Sequence, residues 1–222
     1  MRFNTATAQS EAGILATNKV LKNTYLLLSM TLLFSAAMAA VAMTLNLPHP
    51  GLIITLVGYF GLLFLTTKFS NSAWGIVFVF ALTGFMGITL GPILNMYIHA
   101  FSNGHELILT ALGGTGVIFL GLSAYALTTK KDFSFMAGFL MVGIMVAFFG
   151  GLAALLFSIP ALSLAISGMF VLLMSAMILY QTSEIIHGGE TNYILATVSL
   201  YVSIYNLFTS LLQLLGIFGG DD

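Results

Sequence analysis

The feature of this sequence that most constrains its fold is a series of long apolar runs, separated only by short polar or helix-breaking stretches. About 20 apolar residues in a helix cross the ~30 Å hydrocarbon core of a bilayer. Strands do not fit these runs, because a membrane-spanning barrel needs alternating polar and apolar residues and an open sheet leaves backbone groups unpaired in lipid. We therefore predict an all-α membrane protein, a bundle of seven transmembrane helices. The runs are residues 25–45, 51–67, 74–98, 107–127, 134–157, 161–186 and 192–218.

The composition excludes most other classes of protein. Charged residues make up 6% of the chain and the formal net charge is −1, whereas soluble domains carry about 25% charged residues. The lipid bilayer is thus the expected surrounding, and no basic patch indicates a nucleic-acid partner. The chain has no cysteine, which excludes disulfides and thiolate metal sites. We expect no cofactor.

The predicted domain organisation is simple. Residues 25–218 form the seven-helix transmembrane domain, residues 1–24 an N-terminal tail and residues 219–222 a short C-terminal tail. Lys19 and Lys22, followed by an apolar run, imitate a signal peptide. The preceding segment is too long and too polar for an ordinary signal peptide, so we expect a retained first helix.

The basic residues predict the orientation in the membrane. All six lie before the first run, between the second and third, or between the fourth and fifth, while the loops at 46–50, 98–106 and 157–160 have none. Cytoplasmic loops carry the excess of lysine and arginine. The N-terminus is therefore predicted to be cytoplasmic and, with seven crossings, the C-terminal Asp221 and Asp222 to lie outside. The basic residues are Arg2, Lys19, Lys22, Lys68, Lys130 and Lys131.

Small residues mark predicted helix contacts. Gly84, Gly87 and Gly91 share one face of the third run, and the fourth run has glycines within 113–116. In membranes such residues let helix backbones approach closely. Close packing is the simpler interpretation, and a flexible gating point is the alternative.

The seventh run carries a continuous polar stripe. Ser199, Ser203, Asn206, Ser210 and Gln213 follow one another at steps of four, three, four and three residues. These steps place all five on one face of a helix. The stripe must face the bundle interior or a water-filled cavity. It acts either as hydrogen-bonding glue between helices or as the lining of a polar path.

The end of the sixth run supplies possible partners for this stripe. Gln181 and Glu184 lie one turn apart, with His187 and Glu190 in the loop that follows. An acidic side chain inside the membrane is costly and points to function, whereas one at the interface is only a solvated helix end. His187 and Glu190 form a candidate pH-responsive loop, with a plain loop role as the alternative.

No pattern of catalytic residues is present, and we expect the protein not to be an enzyme. The four histidines, at positions 49, 99, 105 and 187, lie at the ends of runs or in loops. His105-Glu106 does not continue as a zinc-protease motif, and neither a phosphate-binding nor a dinucleotide-binding glycine pattern occurs.

Four stretches of the sequence resemble the Bax-inhibitor (TMBIM) family. They are GITLGPI at 87–93, TTKKDFSF at 128–135, ILYQTSEIIH at 178–187 and SLYVSIYNLF at 199–208. The likeness extends over nearly the whole chain. It implies a fold of seven helices with the last one, helix seven, at the centre.

The resemblance implies two activities. Many family members are described as pH-sensitive calcium leak channels in which one aspartate on helix six and one on helix seven form a proton-sensitive latch. A bacterial inner-membrane branch, which this chain most resembles, is instead described as inhibitor and substrate of FtsH, a membrane-anchored ATP-dependent protease. The latch positions correspond to Gln181 and Ser203. Neither side chain titrates, so a two-carboxylate latch cannot form.

These observations rank the functional hypotheses. The first is modulation of FtsH in membrane-protein quality control, at the bacterial inner membrane. The second is a pH-sensitive calcium or proton leak along the stripe, with Glu184 as a partial substitute for the latch acids. Serines and amides would bind calcium weakly, since calcium prefers several carboxylate ligands. A small-solute transporter is a third, weaker hypothesis.

Overall fold

The computed structural model describes residues 3–220, with side chains over 15–220, and this part of the chain contains helices and no strand. A short 3₁₀ turn, Ser134–Met136, precedes the fifth helix. The helices are α1 (Phe3–Thr44), α2 (Leu52–Lys68), α3 (Ala73–Ala100), α4 (Gly104–Thr129), α5 (Ala137–Leu156), α6 (Pro160–His187) and α7 (Tyr193–Gly219). The predicted all-helical fold is confirmed, and most helix ends agree with the predicted runs within a few residues. Asp221 and Asp222 lie outside the described residues.

The first helix begins much earlier than the apolar run. Residues 3–24, predicted as a tail, continue α1 without a break. They contain no proline and a single glycine, so nothing stops the helix. Its 42 residues extend about 63 Å at 1.5 Å per residue, roughly twice the hydrocarbon core. The N-terminal part of α1 must therefore project beyond the lipid.

Among the described residues, six helices are long and apolar enough to cross a membrane, and α2 is a shorter apolar helix. The chain is therefore a multi-pass membrane protein. Its seven apolar helices agree in number with the seven predicted runs.

Local sequence signals set both ends of α6 and the start of α7. Pro160 occupies the first turn of α6, where its missing N–H costs nothing. Gly188 ends α6 with a φ of 76°, a conformation that favours glycine. Asn192 caps α7, its side chain accepting hydrogen bonds from the backbone N–H groups of Ile194 at 2.9 Å and Leu195 at 3.3 Å.

The helix most enclosed by the others is α7. Of its apolar stretch 61% is buried, against 17% to 44% for the other long helices. It packs against α1, α2, α3, α4 and α6. Tyr201 ties it to two neighbours, because its hydroxyl lies 2.6 Å from the Ser35 hydroxyl on α1 and donates to the Thr83 carbonyl on α3 at 3.3 Å.

Helix α1 packs closely along α3, as the glycines of the third run predicted. A methyl group added at Gly91 would lie 2.8 Å from the Ala39 carbonyl oxygen, and one at Gly87 would collide with the Ser35 carbonyl. Two glycines of the 113–116 stretch in α4 do not share this role. Gly113 and Gly116 have open space where a side chain would be, so close packing was a wrong interpretation there.

The loops that carry lysines meet at one end of the bundle. Asn192, before α7, donates to the Ser70 carbonyl between α2 and α3 at 3.1 Å. The ring of His187 lies 3.1 Å from the Lys130 carbonyl between α4 and α5. At the opposite end, Asn95 donates to the Met43 carbonyl at 3.0 Å. The clustering of basic loops on one side is thus a property of the fold.

Replacing Gly87 by alanine tests the packing of α1 on α3. The new methyl group would push the helices apart, and overpacking of this kind costs about 1–3 kcal/mol. We expect a lower thermal unfolding temperature for the detergent-solubilised protein. Gly113→Ala is the matched control, with the same gain in helix propensity but free space around the methyl group. Equal stability of the two variants would contradict the described packing.

Candidate functional site: two cavities along α7

The larger cavity has a volume of about 650 Å³ and lies among α2, α3, α5, α6 and α7. Its walls are mainly phenylalanine, methionine and leucine side chains, and its polar groups come mostly from α6 and α7. We call it the first cavity. The polar residues in its lining are Thr55, Thr89, Gln181, Ser199, Ser203 and Asn206, with the phenols of Tyr59 and Tyr205.

The structure brings together the two positions that the resemblance assigns to the latch. The Ser203 hydroxyl on α7 lies 3.2 Å from Oε1 of Gln181 on α6, in hydrogen-bonding geometry. It also lies 3.0 Å from the Ser199 carbonyl one turn earlier in α7. Both side chains are buried. This pair holds α6 against α7 with neutral groups, where two carboxylates would repel each other and share a proton.

The smaller cavity has a volume of about 520 Å³ and lies at the α5–α6 end of the bundle. Here the stripe is tied to α6. The Gln213 amide nitrogen donates to the Ser163 hydroxyl at 2.6 Å, and its Oε1 accepts from the Ser167 hydroxyl at 2.7 Å. Ser210 also lines this second cavity. The polar glue predicted for α7 is therefore present at Gln213.

Two residues line both cavities. They are Asn206 on α7 and Phe170 on α6. The Asn206 amide donates to the Val202 carbonyl of its own helix at 2.8 Å. The five residues of the predicted stripe thus divide between two cavities whose linings share one amide and one aromatic ring.

Glu184 lies away from these spaces and lines neither cavity. Its carboxylate lies against Gly189, where any side chain would collide with it. Its carbonyl accepts from the N–H of Gly189 at 2.8 Å and of Glu190 at 3.2 Å, closing the end of α6. This position fits the helix-end interpretation of Glu184.

His187 and Glu190 contact different partners. The His187 ring touches two carbonyls, with Nδ1 2.9 Å from that of Ser183 and Nε2 3.1 Å from that of Lys130. A neutral imidazole has one N–H, so both contacts become hydrogen bonds only in the imidazolium form. Glu190 instead accepts from the backbone N–H of Asn192 at 2.7 Å.

The loop facing His187 is held by hydrogen bonds from side chain to backbone. The buried Ser183 hydroxyl accepts from the N–H of Phe133 at 3.0 Å and donates to the Lys131 carbonyl at 3.2 Å. Asp132 accepts from the N–H of Ser134 at 2.8 Å.

The Ser134 N–H is the main reason that the pKa of Asp132 lies below its usual value, with a smaller Coulombic contribution from His187. Asp132 thus stabilises the loop above the ordinary titration range of aspartate. That contribution is lost as the pH falls through the lowered pKa.

Several lining residues were not predicted. Phe60 on α2 and Phe148 on α5 both line the first cavity and meet edge to face, with centroids 5.9 Å apart. Ser163 and Ser167, the partners of Gln213, are spaced one turn apart in α6. Their i, i+4 spacing was a usable signal, whereas nothing in the sequence pairs the two phenylalanines.

No group of three or more His, Asp or Glu side chains lies close enough to hold a metal ion in the part of the chain that the structure describes. The oxygens along α7 belong to hydroxyls and amides, which bind calcium weakly without carboxylates.

The fold and its cavities define a polytopic helical membrane protein whose polar groups line interior spaces. The family model described as "Inhibitor of apoptosis-promoting Bax1" matches residues 17–220. The chain therefore belongs to this Bax-inhibitor family, as the sequence motifs predicted.

Bacterial relatives match over almost the whole chain. The protein named "Modulator of FtsH protease YccA" from Escherichia coli K12 is 54% identical over 216 residues, covering 97% of this chain and 98% of the relative. An uncharacterized protein of Pseudomonas aeruginosa is 60% identical over 203 residues, 91% of each chain. An uncharacterized membrane protein of Vibrio cholerae is 49% identical over 209 residues, covering 94% and 93%.

Ser183→Ala tests the attachment of the α4–α5 loop to α6. The change leaves the Phe133 N–H without its acceptor, and a lost buried hydrogen bond costs about 1–3 kcal/mol. Amide hydrogen exchange across 130–136 should accelerate by roughly tenfold. Ser175→Ala is the control on the same helix, since its hydroxyl bonds only the Val171 carbonyl. Unchanged exchange in the Ser183 variant would show that the loop is held by other contacts.

Proposed function

We propose that this protein modulates FtsH, the membrane-anchored ATP-dependent protease, and thereby acts in quality control of membrane proteins. The observation that carries the proposal is the 54% identity, over 97% of the chain, with the relative named for that function. Such similarity extends over all seven helices and both groups of loops. The proposed action is by binding, without catalysis, as inhibitor and substrate of the protease.

The proposal includes a location. The protein resides in the bacterial inner membrane, with the N-terminus and the lysine-bearing loops in the cytoplasm and the C-terminus in the periplasm. The shared end of the loops that contain Lys68 and Lys130 supports this orientation. The N-terminal part of α1 then projects on the cytoplasmic side. An accessible chain end of this kind is a common starting point for proteolysis.

The first experiment measures the degradation of a known FtsH membrane substrate in cells that overproduce this protein. We expect the substrate's half-life to increase at least twofold and the protein to co-purify with FtsH. An unrelated multi-pass protein at the same level controls for membrane load. A substrate half-life equal to that control would refute the proposal.

A variant without residues 2–18 separates the two parts of this proposal. If the protease engages the N-terminus, the truncated protein should itself be degraded more slowly in cells with active FtsH. Replacing the same residues by a glycine–serine stretch of equal length tests whether length alone suffices. Turnover equal to that of the full chain would exclude the N-terminus as the entry point.

A second candidate function is an ion leak along α7. The observation in its favour is that the stripe lines two cavities that meet at Asn206 and Phe170. Calcium or protons would have to pass this point. Gln181 and Ser203 carry no charge, so the neutral lining makes this candidate secondary to protease modulation.

Liposome flux tests the ion-leak candidate. Asn206→Leu should abolish calcium or proton flux, because it removes the polar group shared by both cavities. Glu184→Gln should leave flux and its pH dependence unchanged, since Glu184 lines neither cavity. Flux that responds to Glu184→Gln but not to Asn206→Leu would refute a path through the two cavities.

A further inference from the structure

We propose that the first cavity binds one acyl chain of a phospholipid from the surrounding bilayer, with the ester carbonyl of that chain at Gln181. This inference does not depend on the proposed action on FtsH. It rests on the mouth of the cavity, its lining, its volume and the polar group at one end.

The mouth of the cavity lies between α2 and α5. The backbones of these two helices are not in close contact, and the side chains of Phe60 and Phe148 touch across the gap. Nearby lining residues face outward, with Phe60 47%, Met145 50% and Phe149 60% exposed. On a membrane protein such a surface meets lipid tails. An acyl chain can therefore enter sideways without crossing a polar layer.

The volume and lining of the cavity select an apolar occupant. About 650 Å³ lies within the range of roughly 300–1,000 Å³ for sites that bind small molecules. Cavities with apolar walls are not stably filled by water, and voids in a packed interior cost stability. In a bilayer, acyl chains are the apolar molecules at hand.

Gln181 provides a polar contact for the end of that chain. Its side chain is only 9% exposed and lines the cavity. Oε1 receives the Ser203 hydroxyl, whereas Nε2 has no hydrogen-bond partner among the described residues. The amide can therefore donate to a molecule in the cavity that it lines, and an ester carbonyl is an acceptor of suitable size.

Charge and depth place the rest of the lipid outside the cavity. None of the described Asp, Glu, Lys, Arg or His residues lines it, so a phosphate head group would have no partner among them inside the cavity. Gln181 lies about 9 Å from the His187 end of α6 at 1.5 Å per residue. Since α6 is longer than the hydrocarbon core is thick, this level is close to the edge of the core. The head group then stays at the membrane surface.

Photolabelling tests the proposal. The full-length protein is reconstituted in vesicles of phosphatidylethanolamine and phosphatidylglycerol, with a small fraction of phosphatidylcholine that carries a diazirine in one acyl chain. After illumination, mass spectrometry should find lipid adducts on cavity residues, including Met145 and the buried Met174. Gln181→Leu should lower the yield at Met174 at least fivefold. Gln213→Leu, the same change in the second cavity, should leave it unchanged.

Three outcomes would overturn the proposal. The first is labelling confined to outward residues such as Leu33 and Phe64, which are 73% and 64% exposed. The second is equal labelling of Met174 with and without Gln181. The third is labelling by a monoacylglycerol with the same diazirine but not by the phospholipid, which would assign the cavity to neutral glycerides.

A second variant keeps the test decisive if Gln181→Leu does not fold. Val202 lines the cavity, and Val202→Trp should fill part of it and lower labelling at Met174 while labelling of Phe64 persists. Undiminished labelling of Met174 in Val202→Trp would place the lipid elsewhere.

Discussion

Inside a bilayer no water is available to hydrogen-bond a polar side chain, so the polar face of α7 must be covered by other helices. This requirement governs the arrangement of the bundle. The side chain of Gln213 is bound to two serines of α6, Ser203 lies against Gln181, and the Tyr201 hydroxyl reaches both α1 and α3. The result is a helix with a larger buried share than any other long helix described. The close approach of α1 to α3 at Gly87 and Gly91 follows a different rule, since there the backbones themselves pack.

The other helices cover the polar face of α7 incompletely, and the uncovered parts of that face line the two cavities. Where a side chain of α6 reaches α7, the stripe is satisfied. All five stripe residues, including the bonded Ser203 and Gln213, line one or both of the cavities. The first cavity combines an apolar wall with the amide of Gln181, which makes it suited to an uncharged end of an amphiphilic molecule rather than to an ion. The neutral pair Gln181 and Ser203 also removes the proton-sensitive repulsion that two carboxylates would create at this place. Protease modulation does not need such a pair.

Polar contacts at the loop end form a separate unit. Ser183 and His187, one turn apart on α6, hold the backbone of the α4–α5 loop through Phe133, Lys131 and Lys130. They join the stretches at 128–135 and 178–187, which are distant in sequence. His187 and Glu190, the candidate pH-responsive loop, make separate contacts, because Glu190 accepts from the backbone N–H of Asn192.

The sequence by itself determined the class of protein and the number and approximate bounds of the helices. The length of an apolar run and the residues that end it are local properties, and they decide whether a helix can span a bilayer. It also determined that the stripe from Ser199 to Gln213 lies on one helix face. The sequence did not predict that α1 begins at Phe3, because residues 3–24 are polar enough to resemble a tail but contain no strong helix breaker. Only the tertiary structure decided which members of the stripe bond to α6 and which of the two cavities each member lines. That division depends on which α6 residue faces each turn of α7. It also depends on the gap between α2 and α5. Distances between helices that are far apart in the sequence do not produce a periodic pattern of residues.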